Sequence, residues 1–82
     1  MINLYAIPAS LYCAKTRICL RHKHLIWTEL PPPGGFGSDV YISHIPSGTV
    51  PGLIDGETTL GDSEAIAEYL EEAYPSFPML PK

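Results

Sequence analysis

Between residues 31 and 37 the chain reads Pro-Pro-Pro-Gly-Gly-Phe-Gly, and no regular element can run through it. Three prolines remove backbone donors and three glycines raise the entropic cost of order. The segment is therefore read as a loop rather than as a proline-peptide ligand. It separates residues 1–30 from residues 38–82. With 82 residues in all, both stretches must share one core, because a domain of this size buries only about 60–65% of its unfolded surface.

Residues 1–30 read as strand, helix, strand. Ile2 to Ile7 is an apolar run with β-formers that ends at Pro8, the pattern of a strand covered on both faces. Ala9-Ser10 introduces a helix in which Ser10 is the N-cap and Leu11, Ala14 and Ile18 give the apolar spacing i, i+3, i+7. Lys15, Arg17, Arg21 and Lys23 occupy much of the remaining helix surface, the last two near the C-terminal end of the dipole. Leu25 to Leu30, reached through a turn around His24, is the second strand. Such a unit makes its strands parallel.

The second stretch opens with a short, weakly specified helix from Ser38 to about Ser43, then a turn over Ile45-Pro-Ser-Gly-Thr49. Val50–Ile54 and Thr58–Gly61 flank Asp55-Gly56-Glu57, a strong hairpin signal. From Ser63 the spacing of Ile66, Tyr69, Leu70, Ala73 and Tyr74 is that of an amphipathic helix, with Glu64, Glu68, Glu71 and Glu72 on its other faces and Pro75 as its stop. The order βαβ-α-ββα predicts an α/β fold with a four-stranded mixed sheet flanked by three helices. The first and last helices should cover one face.

Composition narrows the function. With 45% apolar and 17% charged residues the chain is a folded domain, and its net charge of −4 without a basic stripe gives no support for nucleic-acid binding. No charged leader precedes an apolar run, and nothing approaches the ~20 apolar residues of a membrane span, so the protein is read as cytoplasmic. Cys13 and Cys19, on one helix, are separated by about 9 Å of rise and roughly 240° of rotation, too far for a disulfide. Neither they nor the three histidines have the spacing of a metal site.

Three segments carry candidate chemistry. At the start of the first helix, free amides and a partial positive charge favour an anion such as a thiolate, to which Ser10 Oγ adds a donor if it is more than a plain N-cap. Cys13 lies one turn further in. At Val50-Pro51, a cis bond turns the Val50 amide and carbonyl outward for pairing with an extended ligand; a trans bond leaves the proline as an edge or bulge residue. Asp62-Ser63 either cap the last helix or face a ligand, offering a carboxylate to an ammonium group and a hydroxyl plus free amides to a carboxylate.

Together these segments resemble the N-terminal domain of glutathione transferases. The matching stretches are Ser10-Leu-Tyr-Cys-Ala-Lys-Thr-Arg-Ile-Cys-Leu20, Pro46-Ser-Gly-Thr-Val-Pro-Gly-Leu-Ile-Asp-Gly56 and Leu60-Gly-Asp-Ser-Glu-Ala-Ile-Ala-Glu-Tyr-Leu70. Glutaredoxins and thioredoxins usually share the proline but lack the last helix pattern. The resemblance implies a thioredoxin-like glutathione-binding domain over residues 1–76, with residues 77–82 beginning a linker to a helical domain that is absent here. It implies that Val50-Pro51 is cis, that the Val50 main chain pairs with the cysteinyl part of glutathione, and that Asp62 and Ser63 bind its γ-glutamyl group. Thr49, Val50, Pro51, Asp62 and Ser63 are thus the expected glutathione-binding residues and Ser10 the expected catalytic one. Glutathione is the co-substrate and a small electrophile its partner.

Ser10 falls where cysteine-type members place a redox cysteine, and serine cannot form a mixed disulfide, so thiolate activation is favoured over thiol exchange. Tyr12 is the alternative partner for the sulfur, and Cys13 is read as a buried helix residue. Thr49 is uncharged and shorter than the Lys or Gln of many relatives, and Ile45-Pro46 replaces a usual Asn-Pro. Full-length relatives are homodimers; the isolated domain is expected to be monomeric, with little or no activity. The rival readings are a non-catalytic glutathione-transferase-like module and a glutaredoxin-like thiol-disulfide oxidoreductase resting on Cys13.

Overall fold

A computed structural model describes residues 1–35 and 37–77. Strand β1 (Ile2–Tyr5), helix α1 (Leu11–His22) and strand β2 (Trp27–Leu30) form a first unit. Helix α2 (Asp39–His44), strands β3 (Gly52–Asp55) and β4 (Thr58–Leu60) and helix α3 (Ser63–Ala73) form a second. One mixed sheet joins them in the order β2-β1-β3-β4, with β1 parallel to β2 and the other neighbours antiparallel. The expected element order and four-stranded mixed sheet are both present.

Because successive side chains of a strand point to opposite faces, β1 supplies two cores. Ile2, Leu4 and the adjoining Ala6 pack with Cys13 and Leu20 of α1, Leu53 of β3, and Ile66 and Leu70 of α3. Tyr5 faces the opposite way onto Tyr41 and Ile45, its ring meeting that of Tyr41 edge-on at 5.4 Å. Each buried leucine contributes about 1.5–3 kcal/mol.

Helix α1 turns inward a different face from the one its apolar spacing indicated. Cys13, Thr16 and Leu20 are buried, while Leu11 and Ile18 are 81% and 63% exposed. Thr16 is tolerated inside because its hydroxyl donates to the Tyr12 carbonyl at 3.2 Å. Lys23, expected on the surface, is also buried: its ammonium pairs with Glu71 at 2.8 Å and donates to the Tyr74 carbonyl at 2.7 Å. Tyr74 is the C-cap of α3, its amide donating to the Leu70 carbonyl, so the buried cation sits at the negative end of the helix dipole.

The hairpin is tighter than its sequence suggested. Asp55 pairs with Thr58, leaving Gly56-Glu57 as the loop, with Gly56 at φ +61°, a conformation that a side chain disfavours. Asp55 is thereby a strand residue whose carboxylate accepts from the Tyr74 hydroxyl and, at 2.7 Å, from the Tyr69 hydroxyl. The expected linker lies, from residue 78 onward, outside the described residues.

The bond from Tyr74, before that from Tyr69, holds the Asp55 carboxyl below its ordinary range. A depressed folded pKa stabilises the fold above the unfolded value, and that stability is lost as pH falls through the folded one. Asp55→Asn should cost about 1–3 kcal/mol at neutral pH. It should also flatten the loss of stability below about pH 4, which urea unfolding at a series of pH values checks.

Candidate functional site

An open cleft of about 380 Å³ is lined by Tyr12, Thr49, Val50, Pro51, Gly61, Asp62 and Ser63. It gathers every residue singled out for binding. Ser10 is not on its wall but stands at the N-cap of α1, two residues before Tyr12.

The cleft and the helix start beside it follow from local chemistry. Ser10 adopts an extended conformation, φ −84° and ψ 127°, and its Oγ accepts from the Cys13 amide at 3.3 Å. A hydroxyl that accepts in this way keeps its proton to donate elsewhere. The first turn of α1 contains no acidic residue, so no side chain there opposes the partial positive charge of the helix N-terminus. The Val50–Pro51 bond is cis, and Pro51 is fully buried directly before β3.

At the opposite wall Asp62 caps α3, accepting from the Glu64 amide at 3.1 Å through Oδ1. The cap engages one carboxylate oxygen and leaves the other as an acceptor. Ser63, the first helical residue, has an amide without an intrahelical partner. This terminus carries acids in Asp62 and Glu64, unlike that of α1. The two ends of the cleft therefore suit different groups, a zwitterionic head at α3 and an anion at α1.

Comparison with known proteins decides the family. Residues 4–78 match the family model described as glutathione S-transferase, N-terminal domain. The chain belongs to this family. It is 38% identical to glutathione S-transferase Z1 of Arabidopsis thaliana, across 99% of this chain and 38% of that protein. It is 33% identical to a stringent starvation protein A homolog of Pasteurella multocida, again across 99% of the chain and 38% of the relative. A glutathione transferase homolog from Drosophila mojavensis, solved with bound glutathione, superposes with a TM-score of 0.84 at 29% identity over 92% of this chain and 36% of that one. The chain thus spans 38% of the length of these curated relatives. Among the described residues of this transferase domain, no helix is long and apolar enough to cross a membrane.

Within the transferase domain, Thr49 is placed differently from a simple ligand contact. Its hydroxyl donates to the Gly61 carbonyl at 3.0 Å, and its own carbonyl accepts from the Tyr41 hydroxyl at 2.7 Å. Tyr41 is fully buried, and burial pushes its pKa up to about 12, so it remains a donor. Sequence reasoning missed Tyr41 because it lies in the weakly specified helix. Only the fold reveals its link to Gly52, where a Cβ would lie 2.5 Å from the Tyr41 hydroxyl and 2.7 Å from Ile45 Cγ1.

Gly52→Ala should therefore destabilise the domain by about 1–3 kcal/mol through overpacking. The urea midpoint should fall with the slope unchanged.

Proposed function

We propose that the full-length protein is a glutathione transferase and that this domain binds glutathione, as co-substrate, in the cleft. The Val50 main chain pairs with the cysteinyl residue as an added strand. Asp62 receives the ammonium group of the γ-glutamyl end, and the Ser63 hydroxyl and amide receive its carboxylate. Ser10 Oγ donates to the sulfur at the N-terminus of α1. That bond and the helix field favour the thiolate, the thiol proton passing to solvent, and its lone pair attacks a small electrophile: the new carbon–sulfur bond forms as a leaving group departs with its bonding pair or, in an addition, as the π pair moves to the neighbouring atom and takes up a proton from water.

One observation carries this reading: residues 49–51 and 61–63, distant in sequence, line a single cleft together with Tyr12 of the first turn of α1. Family membership and the glutathione held by the Drosophila homolog support the choice of ligand. Thiol–disulfide exchange at Cys13 has less support, since Cys13 is 0% exposed. The electrophile's pocket belongs, in this reading, to a helical domain beyond a linker that begins near residue 77. Assembly as a homodimer and detoxification in the cytoplasm complete the proposal. A binding or assembly module without turnover is the second reading, kept because an equally extensive match is to a relative, the stringent starvation protein A homolog, whose name states no transferase activity.

In the full-length protein, Ser10→Ala is expected to lower kcat/KM by about 10²–10³-fold and to raise the pKa of the bound thiol. Tyr12→Phe should stay within about threefold of the parent. The reverse pattern would move the activating role to Tyr12.

Glutathione titration followed by backbone amide resonances should shift Ser10, Val50 and Ser63. Shifts confined to other regions would refute the site. Shifts at these positions without turnover on any electrophile would select the module reading.

A further inference from the structure

The two walls of the cleft are joined by a small polar network that the catalytic reading does not use. Thr49 is its centre. Its carbonyl accepts from Tyr41 at 2.7 Å, and its Oγ1 donates to the Gly61 carbonyl at 3.0 Å. Ser47 Oγ lies 2.9 Å from Thr49 Oγ1 and 3.4 Å from the same Gly61 carbonyl. With Thr49 donating to Gly61, the Ser47 hydroxyl proton is available to Thr49 Oγ1, and both hydroxyls are satisfied.

The backbone is shaped to admit these bonds. A Cβ on Gly52 would collide with the Tyr41 hydroxyl and with Ile45, and a Cβ on Gly61 would collide with Ser47 Oγ. The glycines thus stand at both places where the network crosses from one segment to another. Gly61 immediately precedes Asp62, and Thr49 immediately precedes Val50. A bond from Thr49 to Gly61 therefore spans the base of the cleft from one binding segment to the other.

We propose that Tyr41 and Thr49 are positioning residues that form a clamp, fixing the distance between the Val50 main chain and the Asp62-Ser63 head-group site. In this assignment Thr49 acts through Gly61 rather than by touching the tripeptide. Its consequence for ligand rests on the glutathione reading. A clamp that sets the spacing of two ligand-holding segments contributes equally to ground-state and transition-state binding. Its loss then raises KM and leaves kcat in place.

The test uses the full-length protein with glutathione and a general electrophile. Thr49→Val, which removes the hydroxyl and keeps the shape, should raise KM for glutathione about tenfold with kcat within about twofold. Thr49→Ser, which restores a hydroxyl, should return KM to within about threefold. Tyr41→Phe is the decisive variant, because Tyr41 is fully buried and does not line the cleft. It should raise KM in the same direction, and the double variant should be worse by less than the product of the two effects.

An unchanged KM in Tyr41→Phe beside a raised one in Thr49→Val would mean direct contact with the ligand and would overturn the clamp. Unchanged KM in both would overturn it as well. A measurement without ligand separates the two readings: Thr49→Val should shift the Val50, Asp62 and Ser63 amide resonances of the free protein. If those shifts occurred in a protein that took up no glutathione, the clamp would stand and the glutathione reading would fall. If glutathione bound and the shifts were absent, the clamp would fall alone.

Discussion

Strand β1 has four residues, yet it bonds to a strand on each side and buries side chains on both faces. Leu4, fully buried, lies between Glu29 of β2 and Leu53 of β3 and faces α1 and α3, while Tyr5 meets α2 on the reverse. Every other element is located by reference to this strand. The chain leaving its C-terminal end runs through Pro8-Ala9 into the N-cap of α1, and the antiparallel partner arriving there begins just after Pro51. The start of α1 and the Val50-Pro51 turn are neighbours because both are tied to the same end of β1.

The polar groups at this end gain their character from helix termini. Two N-termini, those of α1 and α3, contribute Tyr12 and Ser63 to one cleft, but their side chains differ in charge. Asp62 and Glu64 oppose the dipole of α3, so that end accommodates both signs of charge. The uncharged start of α1 leaves its field for an anion. Elsewhere, among the described residues, the buried Lys23 is matched by Glu71 and the Tyr74 carbonyl, and the partly buried Asp55 by two tyrosine hydroxyls. These pairings join the end of α3 to α1 and to β3, away from the cleft. They hold the helix whose other end carries Asp62 and Ser63, and an unpaired ammonium at the buried Lys23 would carry a heavy desolvation penalty.

Much of this was legible in the chain. The Pro-Gly block, the hairpin signal and the spacing of Ile66 and Leu70 identify elements through local stereochemistry, which acts over a few residues and depends little on the rest. The stripe of α1 was misread for a physical reason. Thr16 and Lys23 face inward with hydrogen-bond partners, while Leu11 and Ile18 face outward, so residue type and burial disagree along that helix. The Asp-Gly signal was likewise correct about the turn and displaced in register, because Asp55 is recruited into β3 by tyrosines from the far end of α3.

The order of elements, the family, and the segments from which a glutathione site would be built follow from short patterns of caps, turns and apolar spacing. How those segments face one another follows from the assembled fold alone. It brought Thr49–Pro51 and Gly61–Ser63 to one cleft with Tyr12, left Ser10 off its wall, and gave Thr49 to Gly61 and Tyr41 as partners. The reason is that such contacts join residues that no local pattern relates. A hydroxyl and a carbonyl separated by twelve positions meet only after the sheet has formed and two glycines have let the backbones approach.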